Sequence, residues 1–363
     1  MTGKAGSSQD MSTPRVTVLI DTYNHAHMIE RAIRSVLDQD LPMDGIEILV
    51  VDDGSTDSTS EIVRRFEPRV RLLRKPNGGQ ASAFNFGFAA AQGDIIVTLD
   101  GDDWWAPEKL RRVLETFAAN PDAGMVGHGF YEQYADGREC GLILPGKPYR
   151  LDLTSVQNAE LFRHLAAFFG TSRLAVRKDV LDQILPIPED LTIEADEYIF
   201  TLAPAIRPAM IINEPLCYYG IHPGNLFQFG TFEPAKARRK MVVLDVLMRE
   251  LPGRLRSLGA TDDIIASLFR GTEVEAGRIR LSLDGGSPLQ VFSLERAAFR
   301  AAYVKVTWRY QLFRAFVLLQ TLLLPPRLFY RLRRWYSEKG LSRFRSWTGE
   351  PSRAVQLTER RPG

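Results

Sequence analysis

Short β-branched runs alternate with helical patterns through the first half of this chain, and each run ends in acids, Gly or Asn. The runs are Val16–Ile20, Ile46–Val51, Val70–Leu73, Ile95–Leu99 and Met125–Gln133. Between them lie the helical stretches Met28–Leu37, Thr59–Phe66, Gln80–Ala91 and Pro107–Ala119. The second has Asp57 or Ser58 as N-cap and Glu61 in its first turn. Alternation of this kind predicts an α/β fold: a Rossmann-like, mostly parallel sheet with helices on both faces. Such sheets bind ligands beyond the carboxyl ends of their strands. The ends here read Asp21-Thr22-Tyr23-Asn24, Asp52-Asp53-Gly54-Ser55, Asn77-Gly78-Gly79 and Asp100-Gly101-Asp102-Asp103.

The last of these carries the most chemistry. Carboxylates delivered to one strand tip repel each other unless a cation sits between them, and oxygen ligands suit Mg²⁺ or Mn²⁺. The alternative is an acidic turn capping the helix that Pro107 starts. Three further polar strand ends on the same sheet edge favour a site over a cap. Cys140 and Cys217 have no metal-ligand spacing to another Cys or His, and so low a number argues against a disulfide framework.

From residue 135 to 230 the pattern is less regular. Leu174–Val176, Met210–Asn213 and Cys217–Ile221 read as short strands, and Ala195–Ala203 as a helix. After Pro234 the helical patterns Ala235–Leu251, Asp262–Leu283 and Leu294–Lys305 follow, with breaks at Pro252–Gly259 and Asp284–Pro288. The net charge of +2 conceals a basic tail: Lys305 to Arg345 holds ten Lys or Arg against Glu338, leaving 36 basic and 43 acidic residues elsewhere. Ala315–Pro326 is uncharged but too short to span a membrane. Beyond it Leu328, Leu332 and Trp335 or Tyr336 recur at helical spacing beside Arg327, Arg331, Arg333 and Arg334. This suits a helix lying in an anionic headgroup layer over 309–345; the alternative is a helix packed on the protein with a solvated arginine face. No recognition module accompanies the charge, so nucleic acid is not expected. The expected divisions are a disordered leader at 1–13, which lacks a signal-peptide core, a catalytic domain at 14–230, a helical extension at 231–306 and the basic tail at 307–363.

The segments VTVLIDTYN, IEILVVDDGSTDST and NGGQASAFNFGFAAAQGDIIVTLDGDDWWAPEKL, in this order, resemble glycosyltransferase family 2 from about Val16 to Asn225. The resemblance implies a GT-A fold and an inverting, metal-dependent transfer of sugar from a nucleotide-sugar donor to an acceptor hydroxyl. It implies that Tyr23, flanked by Thr22 and Asn24, stacks on the base and that Asp53 bonds the base edge. A carboxylate accepts from uracil N3–H, which favours UDP, although guanine also offers N–H groups. By the same resemblance Asp102 ligates the metal with Asp100, which alternatively contacts the ribose, while Asp103 faces the sugar or braces the loop. Asp196 is the implied base, with Glu194 and Glu197 as competitors and helix capping as the alternative. His222, after an aromatic-rich strand, is an implied metal or diphosphate ligand. Gly78 and Gly79 admit close approach of backbone to ligand, or simply make a turn. His25, His27, His128 and His164 have no such context.

Two departures stand out. Position 21 is Asp where the family usually has Pro, and Phe84 stands where many members have Arg. The expected acceptor is lipid-linked or a polysaccharide, and the expected location is cytoplasmic, peripheral at the inner face of the membrane. Two rivals remain. A nucleotidyltransferase would want a basic, Gly-rich loop after the first strand, which Asp21-Thr22-Tyr23-Asn24-His25 is not. A non-catalytic scaffold would keep the motifs without turnover.

Overall fold

The computed structural model describes residues 16–134, 139–222, 225, 233–301 and 308–339; the expected leader and the end of the tail lie outside them. The described residues fall into two compact units. One is built from residues up to 152 and from 165–222, the other from 153–164 and from residue 225 onward.

The first unit holds the sheet. Its strands are β1 (Val16–Thr22), β2 (Ile46–Asp52), β3 (Arg71–Arg74), β4 (Ile95–Asp100), β5 (Trp104–Trp105), β6 (Met125–Tyr134), β7 (Glu139–Ile143), β8 (Tyr149–Leu151), β9 (Ala175–Arg177) and β10 (Ala209–Ile221). They run in the order β3-β2-β1-β4-β9-β6-β10-β5, with β7 beside β6 and β8 beside β10. β1, β2, β3 and β4 pair in parallel, and β9 runs antiparallel between β4 and β6. Val18, Leu19, Ile20, Leu49, Val50, Val51, Val97 and Leu99 are fully buried, as expected of strands covered on both faces. The β1–β4 register sets Asp21 opposite Asp100, and the β1–β2 register sets Thr22 opposite Asp52. The acids therefore share one sheet edge.

Helices α1 (Ile29–Leu37), α2 (Thr59–Arg64), α3 (Gln80–Ala90) and α4 (Lys109–Ala119) follow β1, β2, β3 and β5. α1 turns Ile29, Ala32, Ile33 and Val36 inward. On α3, a Cβ at Gly87 would lie 2.4 Å from Leu19, so this glycine lets the helix sit tightly on β1. Phe84 is buried on the same helix, 5.4 Å from Phe88 between ring centroids, so the position that departs from the family belongs to the core.

Some details differ from expectation. Met210–Asn213 and Cys217–Ile221 form one strand, β10; Pro215, which has no N–H to give, makes irregularities in the pairing with β6 without ending the strand. The short strands β5, β7 and β8 and the helices α5 (Val156–Leu165), α6 (Lys178–Ile184) and α7 (Ala195–Ile206) complete the pattern. Of these helices, only α7 carries a period long enough to be expected.

The second unit comprises α8 (Pro234–Ser257), α9 (Asp262–Leu283), α10 (Pro288–Ala301), α11 (Trp308–Leu323) and α12 (Pro326–Lys339), joined by the 153–164 segment. Pro252, expected to break α8, lies inside it. Leu247, Leu251 and Leu255 bury one face of α8 while Ile264, Ile265 and Leu268 bury one face of α9. Glu295 of α10 is fully buried; it accepts from Arg278 at 2.8 and 2.9 Å and from Tyr330 at 3.3 Å, and pairs with Arg333 of α12. Beside it Phe329 and Tyr330 pack with Val291. Thus α12 docks through Phe329 and Tyr330, while Leu328 and Leu332 stay exposed. The side chains of Trp335 and Tyr336 lie outside the described residues. No described helix is long and apolar enough to cross a membrane.

Candidate active site

The β4 tip and the loop beyond it bring Asp100, Asp102 and Asp103 together, each offering an oxygen within 4.8 Å of the others. Gly101 makes the turn possible: a Cβ there would meet Thr22 Oγ1 at 2.6 Å and His25 Nδ1 at 2.8 Å. The end of β10 closes over this loop. Gly220 N donates to Asp103 Oδ1 at 2.8 Å, and His222 Nε2 lies 2.9 Å from Asp102 Oδ2. Asp103 therefore braces the loop against β10, one of its two expected roles.

The electrostatics of the cluster follow from crowding. Burial, then the charge of Asp21, pushes the Asp100 carboxyl well above the ordinary carboxylate value. Burial and the charge of Asp102 raise Asp103 to about 7 and Asp21 to about 8. Burial works to raise Asp102 too, but the His222 hydrogen bond and the nearby His25 and His222 charges outweigh it and hold that carboxyl low. Asp21 Oδ1 and Asp103 Oδ2 are buried with no hydrogen-bond partner among the described residues. Oxygen donors that are close, buried and partly unpartnered fit a hard divalent cation better than they fit each other.

Asp196 lies in the first turn of α7, where a helix N-terminus favours a carboxylate. Its Oδ2 accepts from Thr171 N at 2.8 Å and from Thr171 Oγ1 at 3.2 Å. Burial raises its carboxyl, against the lowering effect of these bonds and of Arg173. Glu194, preceding it, occupies the left-handed N-cap position at φ 55°. The turn Thr171–Arg173 is fixed from behind by the fully buried Lys109, whose Nζ donates to the Ser172 carbonyl at 2.7 Å.

Gln80, a residue that sequence reasoning passed over, joins these parts. Its Nε2 donates to Asp100 Oδ1 at 3.3 Å and to Thr171 Oγ1 at 3.2 Å, and its Oε1 accepts from Ala195 N at 2.9 Å. Ser172 Oγ adds a bond from Asp100 N at 3.1 Å. A lone Gln at a helix start, and a Thr-Ser pair in an irregular segment, gave no signal that could have found them. His25 is a second omission: its ring meets Thr22 Oγ1 at 3.2 Å and feels the charges of Asp102 and His222.

The other expected residues line the neighbouring strand ends. Tyr23 is 44% exposed. Asn24, at φ 56°, accepts from Thr56 N at 2.8 Å and so pins the loop after β2. The Asp53 carboxylate takes Lys75 Nζ at 2.7 Å, Gly78 N at 3.0 Å and Gly79 N at 2.7 Å. Gly79 adopts φ +85°, and a Cβ there would lie 2.6 Å from Thr192 Cα, so the close approach it permits is to this chain's own backbone. A cleft of about 440 Å³ beside Asp53 is lined by Gly54, Arg74, Lys75, Pro76 and Asn77.

The parallel 3-2-1-4 half-sheet is common to Rossmann-like folds; with its acid-lined edge and the strand closing over it, it is shared with solved glycosyltransferases of the GT-A fold. Solved structures agree on the fold. Staphylococcus aureus TarS (residues 1–349), crystallised with UDP-GlcNAc, aligns with TM-score 0.51 at 17% identity over 79% of this chain and 88% of its own. The mannosyltransferase PcManGT from Pyrobaculum calidifontis, crystallised with GDP-Man and Mn²⁺, aligns with TM-score 0.50 at 20% identity over 91% of each chain. Residues 17–185, a little under half of the chain, match Glycosyl transferase family 2. Among curated relatives, the succinoglycan biosynthesis protein ExoO of Rhizobium meliloti (strain 1021) is 43% identical over 220 residues, covering 59% of this chain and 62% of ExoO. The chain spans less than two thirds of the length of the curated relatives it matches here.

Proposed function

We propose that this chain is an inverting, metal-dependent glycosyltransferase that moves a sugar from a nucleoside diphosphate, UDP in the first instance, to an acceptor hydroxyl. The observation that carries the reading is the joining of the Asp100–Asp102–Asp103 cluster to Asp196 through Gln80 and Thr171. One arm gathers carboxylates that suit a cation, through which a diphosphate would be held; the other presents a base.

Asp102 and Asp100, with His222, would hold Mg²⁺ or Mn²⁺, which when bound stabilises charge on the departing diphosphate. PcManGT's Mn²⁺ supports that assignment. Asp196 takes the acceptor proton. The acceptor oxygen bonds to the anomeric carbon as the bond from that carbon to the diphosphate oxygen breaks, and the diphosphate leaves with the electron pair. A carboxylate raised by burial is a stronger base than a free one, and the Thr171 bonds hold it in place. Glu194 sets the helix start that aims it. Tyr23 stacks on the base, Thr22 and Asn24 shape its seat, and Asp53 with the Gly78–Gly79 turn meets its edge where Lys75 now sits. The UDP-sugar bound to TarS supports UDP, and the GDP-Man of PcManGT makes guanine the runner-up.

The acceptor in this reading is a lipid-linked or polysaccharide hydroxyl at the inner face of the membrane; the name of ExoO, a succinoglycan biosynthesis protein, supports the polysaccharide part. Incubation with UDP-sugars and Mn²⁺ tests the proposal. Slow release of UDP from one donor, and none without metal, is expected. No release from any UDP- or GDP-sugar would leave the scaffold reading standing.

A further inference from the structure

Helix α11 is apolar on two opposite sides. Val317, with Leu324 just past the helix end, packs against the buried cluster of Val291, Phe329 and Tyr330. On the other side Trp308, Leu312, Phe316, Leu319 and Leu323 are 66%, 61%, 57%, 56% and 72% exposed. At about 100° per residue these five fall within an arc of roughly 80° along the whole helix. The polar residues of the stretch do not interrupt the stripe. Thr321 is buried and donates its hydroxyl to the Leu318 carbonyl at 2.7 Å, and Gln320 is half-buried off the stripe. Apolar surface on two sides of a helix is normally covered on both. Among the described residues, only the side facing Val291, Phe329 and Tyr330 is covered. Across the Pro325-Pro326 break, α12 adds Leu328 and Leu332, 43% and 45% exposed, with the exposed Arg327 and Arg331 beside them.

We propose that this face of α11, continued by Leu328 and Leu332, is a docking surface for an anionic lipid leaflet, in which the helix lies flat with its stripe in the acyl boundary. Charge selects this occupant. Residues 308–339 carry seven Lys or Arg against Glu338 alone; Arg333 is spent on Glu295, while Arg327 and Arg331 lie exposed beside the stripe. A second copy of the chain would bring that charge against itself, whereas an anionic leaflet complements it. Trp308, at one end of the stripe, is the residue type that settles at headgroup level. The surface differs from the one the sequence pattern suggests: α11 supplies most of it, because α12 spends Phe329 and Tyr330 on packing. The proposal concerns the helical unit alone and stands or falls independently of the transfer reaction.

Flotation of the full chain with vesicles tests it. With phosphatidylglycerol-containing vesicles the protein is expected to float and with pure phosphatidylcholine to stay at the bottom, and the part of the tryptophan emission lost in Trp308→Phe is expected to shift to the blue only in the first case. Leu312→Glu with Leu319→Glu, both at exposed positions, is expected to cut the floating fraction at least about tenfold with the circular dichroism unchanged. Arg331→Glu should weaken binding to the anionic vesicles. Equal flotation of the double variant and the parent overturns the proposal. So does a parent that never floats but sediments as a dimer which the double variant dissociates, because the face would then be covered by a second copy.

Discussion

Asp196 shows best what a single residue contributes and what can be read of it in advance. Its carboxylate is held by the Thr171 amide and hydroxyl and stands close enough to feel Asp21 and Asp100. Asp196→Asn preserves the shape and both Thr171 donors but removes the proton acceptor. Donor affinity, measured by calorimetry, is expected to stay within about twofold while transfer falls by on the order of 10²–10⁴; retained turnover would move the base elsewhere. The Asp100 cluster was legible because acids at a strand end stand out against an apolar run, whereas Asp196 and His222 were picked out through the family resemblance. Gln80, Thr171, Ser172 and His25 were not legible, since their importance lies in what they bond across 20 to 115 residues of chain or, for His25, across a turn. Asp53 is the intermediate case. Its position was legible, yet only the structure shows its oxygens already engaged by Lys75 and the Gly78 and Gly79 amides.

At the level of elements, strand and helix identity followed period, while joins followed local chemistry that period does not report. β10 reads as two strands because Pro215 interrupts its β-branched run, but its neighbours restore the pairing on either side. The continuity matters, since the far end of β10 carries both Gly220 and His222 to the Asp102–Asp103 loop. Strands as short as β5 and β8 are too short for alternation to declare them, although the apolar Leu174–Val176 run did mark β9. The helical unit depends on a charge that no pattern announces: Glu295, fully buried, facing Arg278, Arg333 and Tyr330. Burial works to raise its carboxyl, but the two arginines win and hold it low, while burial raises the Tyr330 hydroxyl. Glu295→Ala leaves both guanidiniums without their shared anion. It is expected to destabilise the helices by about 2–3 kcal/mol, at the modest end for a buried partner because both arginines reach solvent. A urea titration followed by helical circular dichroism reads this, and an unchanged midpoint would show the network to be idle.

For the whole molecule, the crowded acids couple folding to pH and to metal. Folded, Asp21 holds its proton to about 8 and Asp103 to about 7; an ordinary Asp loses it near 3.8. Between those values the folded chain binds more protons than the unfolded one, so metal-free stability falls as pH rises from about 4 to about 8. A cation that replaces those protons stabilises most where they are lost. Thermal melts are therefore expected to show a larger Mn²⁺ shift at pH 8 than at pH 6, and an equal or opposite trend would argue against carboxylate ligation. The central claim is that this acid cluster is the metal-bearing half of a nucleotide-sugar site. Calorimetric titration of UDP in the presence and absence of Mn²⁺, on the parent chain and on Asp102→Ala, tests it most directly. Binding that requires Mn²⁺ in the parent and vanishes in the variant is expected; metal-independent binding, or the same affinity in both proteins, would contradict it.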